Sequence, residues 1–363
     1  MGIKAARFRK NFTERSDMSS VQHTPSQHIA SIELGRVIAI LAIIGLHGQM
    51  ALTYWQIDEV PWIGYVLNQT ARFAVPLFFL ISGYLIQPKL TASPWQTVIN
   101  YSIPLLKVWL AWSIICLVMP FNLAKVEEFG YLGERQGYWG FLMNTPLNSF
   151  LEGGLVHLWF IPALVCAVLI IALIVEMKLD KLLLPAAIVL YVYGVLAGSY
   201  ATLTGLEAPF FTRNGPFFST LMVTLGFLIR QNQWKVSSTK ALGLLALGML
   251  IHFAEAAWLT TFDVGFNMND FLFGTALWGM GVFMWLLANP NMGNYAWVRA
   301  ISNRMLGIYV SHLLIIIILF NVCGVLGITE LAKDITVFFG TFTLSFILIA
   351  GIEKTPLRHW LLR

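Results

Sequence analysis

The chain has 363 residues, of which 58% are hydrophobic, 14% are aromatic and only 11% are charged. This composition excludes a soluble globular protein and is typical of a protein with several membrane-spanning helices. The formal net charge of +5 does not imply a nucleic-acid partner, and three cysteines within apolar runs indicate neither a disulfide framework nor a metal site.

The polar, basic residues 1–30 lack the apolar run of a signal peptide, so we predict a flexible cytoplasmic tail there. Residues 31–354 are predicted to form one membrane domain, because a span needs about 20 apolar residues and such segments recur throughout. Residues 355–363 are a second predicted cytoplasmic tail. The predicted fold is all-α, with ten transmembrane helices at 33–54, 70–88, 98–120, 157–176, 181–200, 215–230, 239–260, 268–288, 304–326 and 332–352.

The basic residues predict the orientation of these helices. With a cytoplasmic N-terminus, sixteen of the 23 Lys and Arg residues fall on the cytoplasmic side and four on the other. Both termini are therefore predicted to be cytoplasmic. Residues 55–69 form an acidic outer loop in this scheme, and 121–156 form the one long loop.

The first predicted helix keeps Glu33, Arg36 and His47 inside an apolar run. Each costs about 2.5–3.5 kcal/mol at the bilayer centre, so the three need partners or a function. Arg36 and His47 are eleven residues apart, which places them on one face and about 16 Å apart along the axis. Glu33 lies one turn before Arg36 and is close enough to pair with it.

Four motifs follow one another along the chain: R-x10-H from Arg36 to His47, FFLISGYL after Arg72, HLWF from His157, and LGIYxxH ending at His312. Together they resemble the membrane-bound acyltransferase family 3, whose members O-acylate carbohydrates outside the cytoplasm. The phrases RFAVPLFFLISGYL and HLWFIPAL are most similar to the branch that acetylates enterobacterial common antigen and related glycans. The resemblance implies a location in a bacterial inner membrane, no bound cofactor, and acetyl-CoA or another acyl-CoA as co-substrate.

The resemblance implies that His47, Arg36 and His312 carry the catalysis. His47 is expected to act as general base toward a sugar hydroxyl or to take the acyl group itself. The alternative is a histidine hydrogen-bonded to a neighbouring helix for structure alone. His312 is expected at a similar depth, flanking the same centre, with packing as its alternative role.

The expected acyl-donor-binding residues are Arg36, Ser82, Gly83 and Tyr309. A guanidinium at the cytoplasmic end of the first helix suits a phosphate of acyl-CoA, whereas snorkelling or pairing with Glu33 is the structural alternative. Ser82 and Gly83 are small, and we expect them to shape a tunnel wall.

The expected acceptor-binding residues, on the outer side, are Arg72, His157, Trp159 and Glu255. Arg72 and Trp159 have the alternative role of anchors at the membrane interface. Glu255 lies three residues after His252, so a mutually bonded structural pair is equally compatible with the spacing. Asp270 is expected to be a solvated residue of an outer loop.

These observations predict an O-acyltransferase that modifies an envelope polysaccharide or a lipid-linked oligosaccharide. The expected partners are the lipid bilayer, the carbohydrate acceptor and the acyl-CoA donor, without a metal. A carbohydrate exporter or flippase is the alternative, but it should show repeats and broken helices, which the sequence lacks. A noncatalytic scaffold leaves the intramembrane Arg and His unexplained.

Overall fold

The computed structural model describes residues 29–363, so the predicted N-terminal tail lies almost wholly outside the described residues. The helices, in chain order, are α1 (Ala30–His47), α2 (Trp62–Thr70), α3 (Ala74–Ala92), α4 (Pro94–Val118), α5 (Leu123–Asn144), α6 (Pro146–Glu152), α7 (Phe160–Glu176), α8 (Leu183–Leu196), α9 (Ala201–Thr204), α10 (Pro216–Gln231), α11 (Ser238–Leu259), α12 (Phe273–Ala288), α13 (Ala296–Ser302), α14 (Met305–Leu326), α15 (Glu330–Ile352) and α16 (Arg358–Leu361). Short 3-10 turns at Ala71–Phe73 and Val156–Trp159 lead into α3 and α7. No β-strand occurs within this range, which confirms the all-α fold.

Within residues 29–363, seven helical stretches are long and apolar enough to cross a membrane: Ala30–His47, Trp62–Ala92, Pro94–Val118, Val156–Glu176, Ser238–Phe262, Met305–Leu326 and Glu330–Ile352. The other three predicted spans correspond to α8, α10 and α12, which have 14, 16 and 16 residues. They are shorter than the roughly 20 residues that a bilayer requires. The multi-pass membrane protein is supported, while the count of ten and the cytoplasmic termini remain predictions.

The first helix ends seven residues earlier than the sequence predicts, at His47 rather than at 54. Gln49 and Ala51 adopt positive φ angles of 55° and 56°, which no α-helix tolerates. The Ala51 amide and the Tyr54 hydroxyl both donate to Asp334 Oδ2, at 2.7 and 2.6 Å. A carboxylate on α15 therefore holds the chain as it leaves α1.

Helices also occupy two segments predicted to be loops, namely 55–69, which contains all of α2 but its last residue, and 121–156, which contains α5 and α6. In α5 the Arg135 side chain is fully buried. Its guanidinium pairs with Glu134 at 2.5 Å and donates to the Cys116 carbonyl at the end of α4. The guanidinium carbon also lies 4.4 Å from the Phe121 ring centroid. This segment is thus a folded cap on α4.

The centre of the bundle depends on close approach between α3 and α10. A Cβ at Gly83 would lie 2.0 Å from the Val223 carbonyl oxygen, and one at Gly226 would lie 2.0 Å from that of Leu80. Two reciprocal glycines bring the backbones together as small residues do in membrane helix pairs. Gly83, an expected donor-binding residue, therefore lies at a helix–helix contact.

Candidate functional site

The candidate site centres on two histidines from different helices. His47 is the last residue of α1 and His312 lies in α14. Their rings are stacked, with centroids 5.1 Å apart, and His47 Nδ1 lies 2.8 Å from His312 Nε2. The two predicted catalytic histidines therefore share one hydrogen bond.

The backbone assigns the tautomer of both rings. His312 Nδ1 contacts the Tyr309 carbonyl oxygen, which can only accept, so Nδ1 carries the proton. His312 is fully buried, and a buried imidazolium without a carboxylate is costly, so its Nε2 holds a lone pair. His47 Nδ1–H must then donate to it. The consequence is that His47 Nε2 has a free lone pair.

A third imidazole, His157, completes the cluster. Its ring centroid lies 5.0 Å from that of His312, edge to face, and its Nε2–H donates to the Val310 carbonyl at 3.0 Å. The Tyr309 hydroxyl donates back to the His157 carbonyl. His157 is only 1% exposed, and Nδ1 has no hydrogen-bond partner among the described residues. His157, an expected acceptor-binding residue, thus lies in the core, where its hydrogen bonds join the Val156–Trp159 turn to α14.

Trp159, the other expected acceptor ligand of this turn, lies within an aromatic cluster. Its ring centroid is 6.2 Å from that of Phe79 and 6.3 Å from that of Phe218. These contacts attach the start of α7 to α3 and α10. The indole is therefore mainly occupied by protein neighbours.

A cavity of about 830 Å³ opens where α1 and α14 begin and α15 ends. We call it the basic cavity. Arg36, Ser82 and Tyr309 line the cavity, as expected for donor-binding residues. Ser82 donates its hydroxyl to the Phe78 carbonyl of its own helix at 2.8 Å, so it forms wall rather than nucleophile. Tyr309 lies at the deep side, next to the histidine cluster.

Most basic side chains of this cavity were not predicted to line it, since Arg304, Arg358 and Arg363 entered only the prediction of helix orientation. The further basic side chains that line it are Lys107, Arg304, Arg358, His359 and Arg363. Among the described residues, Glu353 is the one carboxylate that lines the cavity, and it pairs with Arg304 at 2.7 Å. Glu33, expected to pair with Arg36, has a carboxylate oxygen 3.9 Å from Arg299 Nε. The available signal was the density of Lys and Arg at 299–304 and 354–363.

An ion-pair network lies at the opposite end, where α1 ends and α12 begins. Asp270 accepts from Arg72 at 2.8 Å through one oxygen and from Arg213 at 2.7 Å through the other. Arg213 also pairs with Glu152 at 2.8 Å. Burial raises the pKa of the Asp270 carboxyl, but Arg213 and Arg72 outweigh it and lower that pKa to about 2.

This network changes the interpretation of two residues. Arg72 was expected to bind the carbohydrate acceptor. Its guanidinium also donates to the Asn68 side chain and to the Asn267 carbonyl, both at 3.2 Å. Asp270, expected to be solvated, instead bridges two arginines. Asp270 lies 198 residues from Arg72 and 57 residues from Arg213 in the chain, so local sequence patterns could not predict these ion pairs.

The other expected acceptor ligand, Glu255, has a structural position. It accepts from the Phe273 and Gly274 amides at 3.2 and 2.7 Å and from the Tyr200 hydroxyl at 2.7 Å. The carboxylate therefore caps α12, where negative charge is favourable. His252 does not complete a pair with it, since its ring nitrogens contact Gln69 Oε1 and Thr275 Oγ1 at 2.8 and 2.9 Å.

Comparison with known proteins gives one family match. A family model described as an acyltransferase domain matches residues 29–350. The chain is 27% identical over 264 residues to a serine/alanine racemase of Enterococcus gallinarum, covering 67% of this chain and 35% of that protein. It is 24% identical over 336 residues to an amino-acid racemase of Enterococcus faecalis, covering 87% of this chain and 45% of that protein. The chain spans less than half the length of these relatives, and no solved structure matches it.

Proposed function

The chain belongs to the acyltransferase family matched over residues 29–350, and from this we propose that it moves an acyl group from an acyl-CoA, most simply acetyl-CoA, to a hydroxyl of an envelope carbohydrate. The basic cavity is the donor side and the opposite end is the acceptor side. In a bacterial inner membrane, these would face the cytoplasm and the envelope. The racemase names of the relatives describe much longer proteins, so we do not assign racemisation to this chain.

The observation that carries this proposal is the hydrogen-bond order Tyr309 carbonyl, His312, His47. It leaves His47 Nε2 as a proton acceptor whose ring is held by its other nitrogen. A general base oriented by a second group is the arrangement that hydroxyl activation requires.

The proposed reaction is direct transfer. His47 Nε2 takes the proton of the acceptor hydroxyl as the oxygen attacks the thioester carbonyl. The carbon–sulfur bond then breaks, and the departing thiolate receives that proton from the His47 imidazolium. His312 Nε2 stabilises this imidazolium by accepting its Nδ1–H. Hydroxyl and thioester become ester and thiol, so atoms and protons balance.

Positions on the two sides of His47 support the division into donor and acceptor ends. The cavity runs from Arg36 and Arg304 to Tyr309 and Phe160, a cationic entrance followed by an apolar interior. Such an order suits a donor with phosphates at one end and an acyl group at the other. The partly exposed Arg72–Asp270–Arg213 network offers polar groups to a polyhydroxylated acceptor.

The test is transfer of radiolabel from acetyl-CoA to envelope carbohydrate, in membranes that contain the native chain or His47→Ala at equal level. We expect label with the native chain and a loss of about 10²-fold or more with the substitution. Gln49→Ala, at an exposed position two residues further on, is the matched control and should transfer normally. Equal transfer by native chain and His47→Ala would contradict the proposed role. Absence of transfer from both would favour another donor, or the exporter.

A further inference from the structure

The segment that follows the last membrane helix forms one wall of the basic cavity. Glu353, Arg358, His359, Leu362 and Arg363 all line it. These residues lie beyond the part of the chain that the family model matches, which ends at residue 350. Half of the basic side chains around the cavity therefore come from a segment outside the matched domain.

Two contacts with α4, and packing against the hydrophobic core, fix this segment in place. The Trp112 indole N–H donates to the Leu361 carbonyl at 3.0 Å, and Leu361 and Leu362 pack against the main hydrophobic core. The Arg363 guanidinium carbon lies 4.4 Å from the centroid of the Tyr101 ring, which also lines the cavity. The segment predicted to be a tail is thus a built part of the cavity.

The charges around the cavity favour an anionic ligand. Its basic side chains are Arg36, Lys107, Arg304, Arg358, His359 and Arg363. Glu353 offsets Arg304, which leaves an excess of positive charge. Like charges around one volume repel each other, and a polyanion relieves that repulsion. Guanidinium groups bind phosphate by paired hydrogen bonds, so a phosphorylated ligand fits better than a single carboxylate.

We propose that Arg358, His359 and Arg363 form a phosphate-binding wall that holds the nucleotide phosphates of the acyl donor. This inference rests on the proposed function and assigns part of the donor site to a new segment. A volume of about 830 Å³ suits a large ligand. The cavity also reaches inward to Phe160 and Leu164, which a nucleotide with an apolar extension fits better than a lipid headgroup that remains at the membrane surface.

The probe is adenosine 3′,5′-bisphosphate, whose binding to the purified full chain is measured by equilibrium dialysis. We expect the Arg358→Gln/Arg363→Gln double variant to bind at least about tenfold more weakly than the native chain. Lys354→Gln removes a charge from the same segment at an exposed position outside the cavity, and should bind as the native chain does. Trp112→Phe should also weaken binding several-fold, because it releases Leu361 without removing a charge.

Equal binding by the native chain and the double variant, or no binding by the native chain, would contradict the proposal that this segment binds phosphate. If short-chain phosphatidylglycerol displaces the probe at a concentration equal to that of the probe, the site binds lipid, and the assignment to a nucleotide is wrong. The probe has no acyl group, so its binding is independent of transfer. If the variants weaken probe binding but transfer does not depend on His47, the proposed function is contradicted. If transfer depends on His47 but the variants leave probe binding unchanged, only the phosphate-binding wall is contradicted.

Discussion

The imidazoles of His47 and His312 share a 2.8 Å hydrogen bond, although 265 residues separate them in the chain. The bond has a direction, since the Tyr309 carbonyl fixes the proton of His312 on Nδ1. His312 thus leaves the Nε2 lone pair of His47 free, and in the reaction proposed above it is a positioning residue.

The first prediction concerns the acceptor atom that His312 offers to His47. His312→Gln retains an oxygen that can accept the His47 Nδ1–H, whereas His312→Phe retains only a stacked ring. We expect kcat to fall about 10²-fold in the Phe variant and less in the Gln variant, with similar KM values for both substrates. Steady-state kinetics would reveal this order. Equal losses in the two variants would mean that His312 serves only packing.

The second prediction concerns the ion-pair network at the opposite end. Asp270→Asn removes a charge that two arginines share, and should lower the free energy of unfolding by about 1–2 kcal/mol, discounted because the Asp270 side chain is 36% exposed. Thermal unfolding in detergent measures the difference. An unchanged midpoint at neutral pH would show that the network adds no stability.

The third prediction is the pH dependence of that difference. The folded-state pKa of Asp270 is about 2, below the value of about 3.9 for an unfolded aspartate. Its contribution is therefore fully present above about pH 4 and is lost as the pH falls toward 2. The gap in unfolding midpoint between native chain and Asp270→Asn should stay constant from pH 7 to pH 5 and narrow below pH 4. A gap that closes between pH 7 and pH 5 would contradict this assignment.

The fourth prediction separates packing from donor binding at Gly83. Gly83→Ala places a Cβ 2.0 Å from the Val223 carbonyl oxygen, so we expect α3 and α10 to move apart and the chain to lose stability by more than about 1 kcal/mol. The matched control is Gly243→Ala in α11, where a Cβ would meet nothing within 4 Å. There alanine should be neutral or stabilising by up to about 1 kcal/mol. Unfolding midpoints that respond equally would argue against the close contact.

The fifth prediction tests Glu255 as a helix cap. Glu255→Gln keeps one acceptor oxygen but removes the negative charge at the start of α12, so stability should fall by about 1 kcal/mol. The KM for the carbohydrate acceptor should not change. A tenfold rise in that KM with unaltered stability would restore the acceptor-binding role expected from the sequence.

The sequence predicted the residues that periodicity and motifs bring to one helix. Arg36 and His47 share a face of α1, and their separation of about 16 Å along the helix axis follows from local geometry. The membrane class and the family were likewise available, because they depend on composition and ordered motifs. His312 was expected near His47, although its hydrogen bond depends on how α14 packs.

Other features depend on contacts between distant segments, which no local pattern encodes. Asp270 was expected to be solvated because its own loop contains no arginine. Arg135 and Glu134 are adjacent in a polar segment, and only the folded chain shows them buried against the end of α4. Helix α5 was missed because it contains charged residues and Gly130, whose φ of 73° bends it.

Helix α1 also acts as a ruler. Arg36 lines the basic cavity and His47 ends the helix, so eleven residues, or about 16 Å, separate the entrance from the base. For the donor proposed above, that length is the reach its carrier arm must have to bring a thioester to the imidazole while its phosphates stay with the arginines. One residue inserted between them would lengthen the ruler by only about 1.5 Å but would rotate His47 by about 100° away from His312. In the reaction proposed above, the spacing therefore sets both the distance that the donor's arm has to span and the direction of the base.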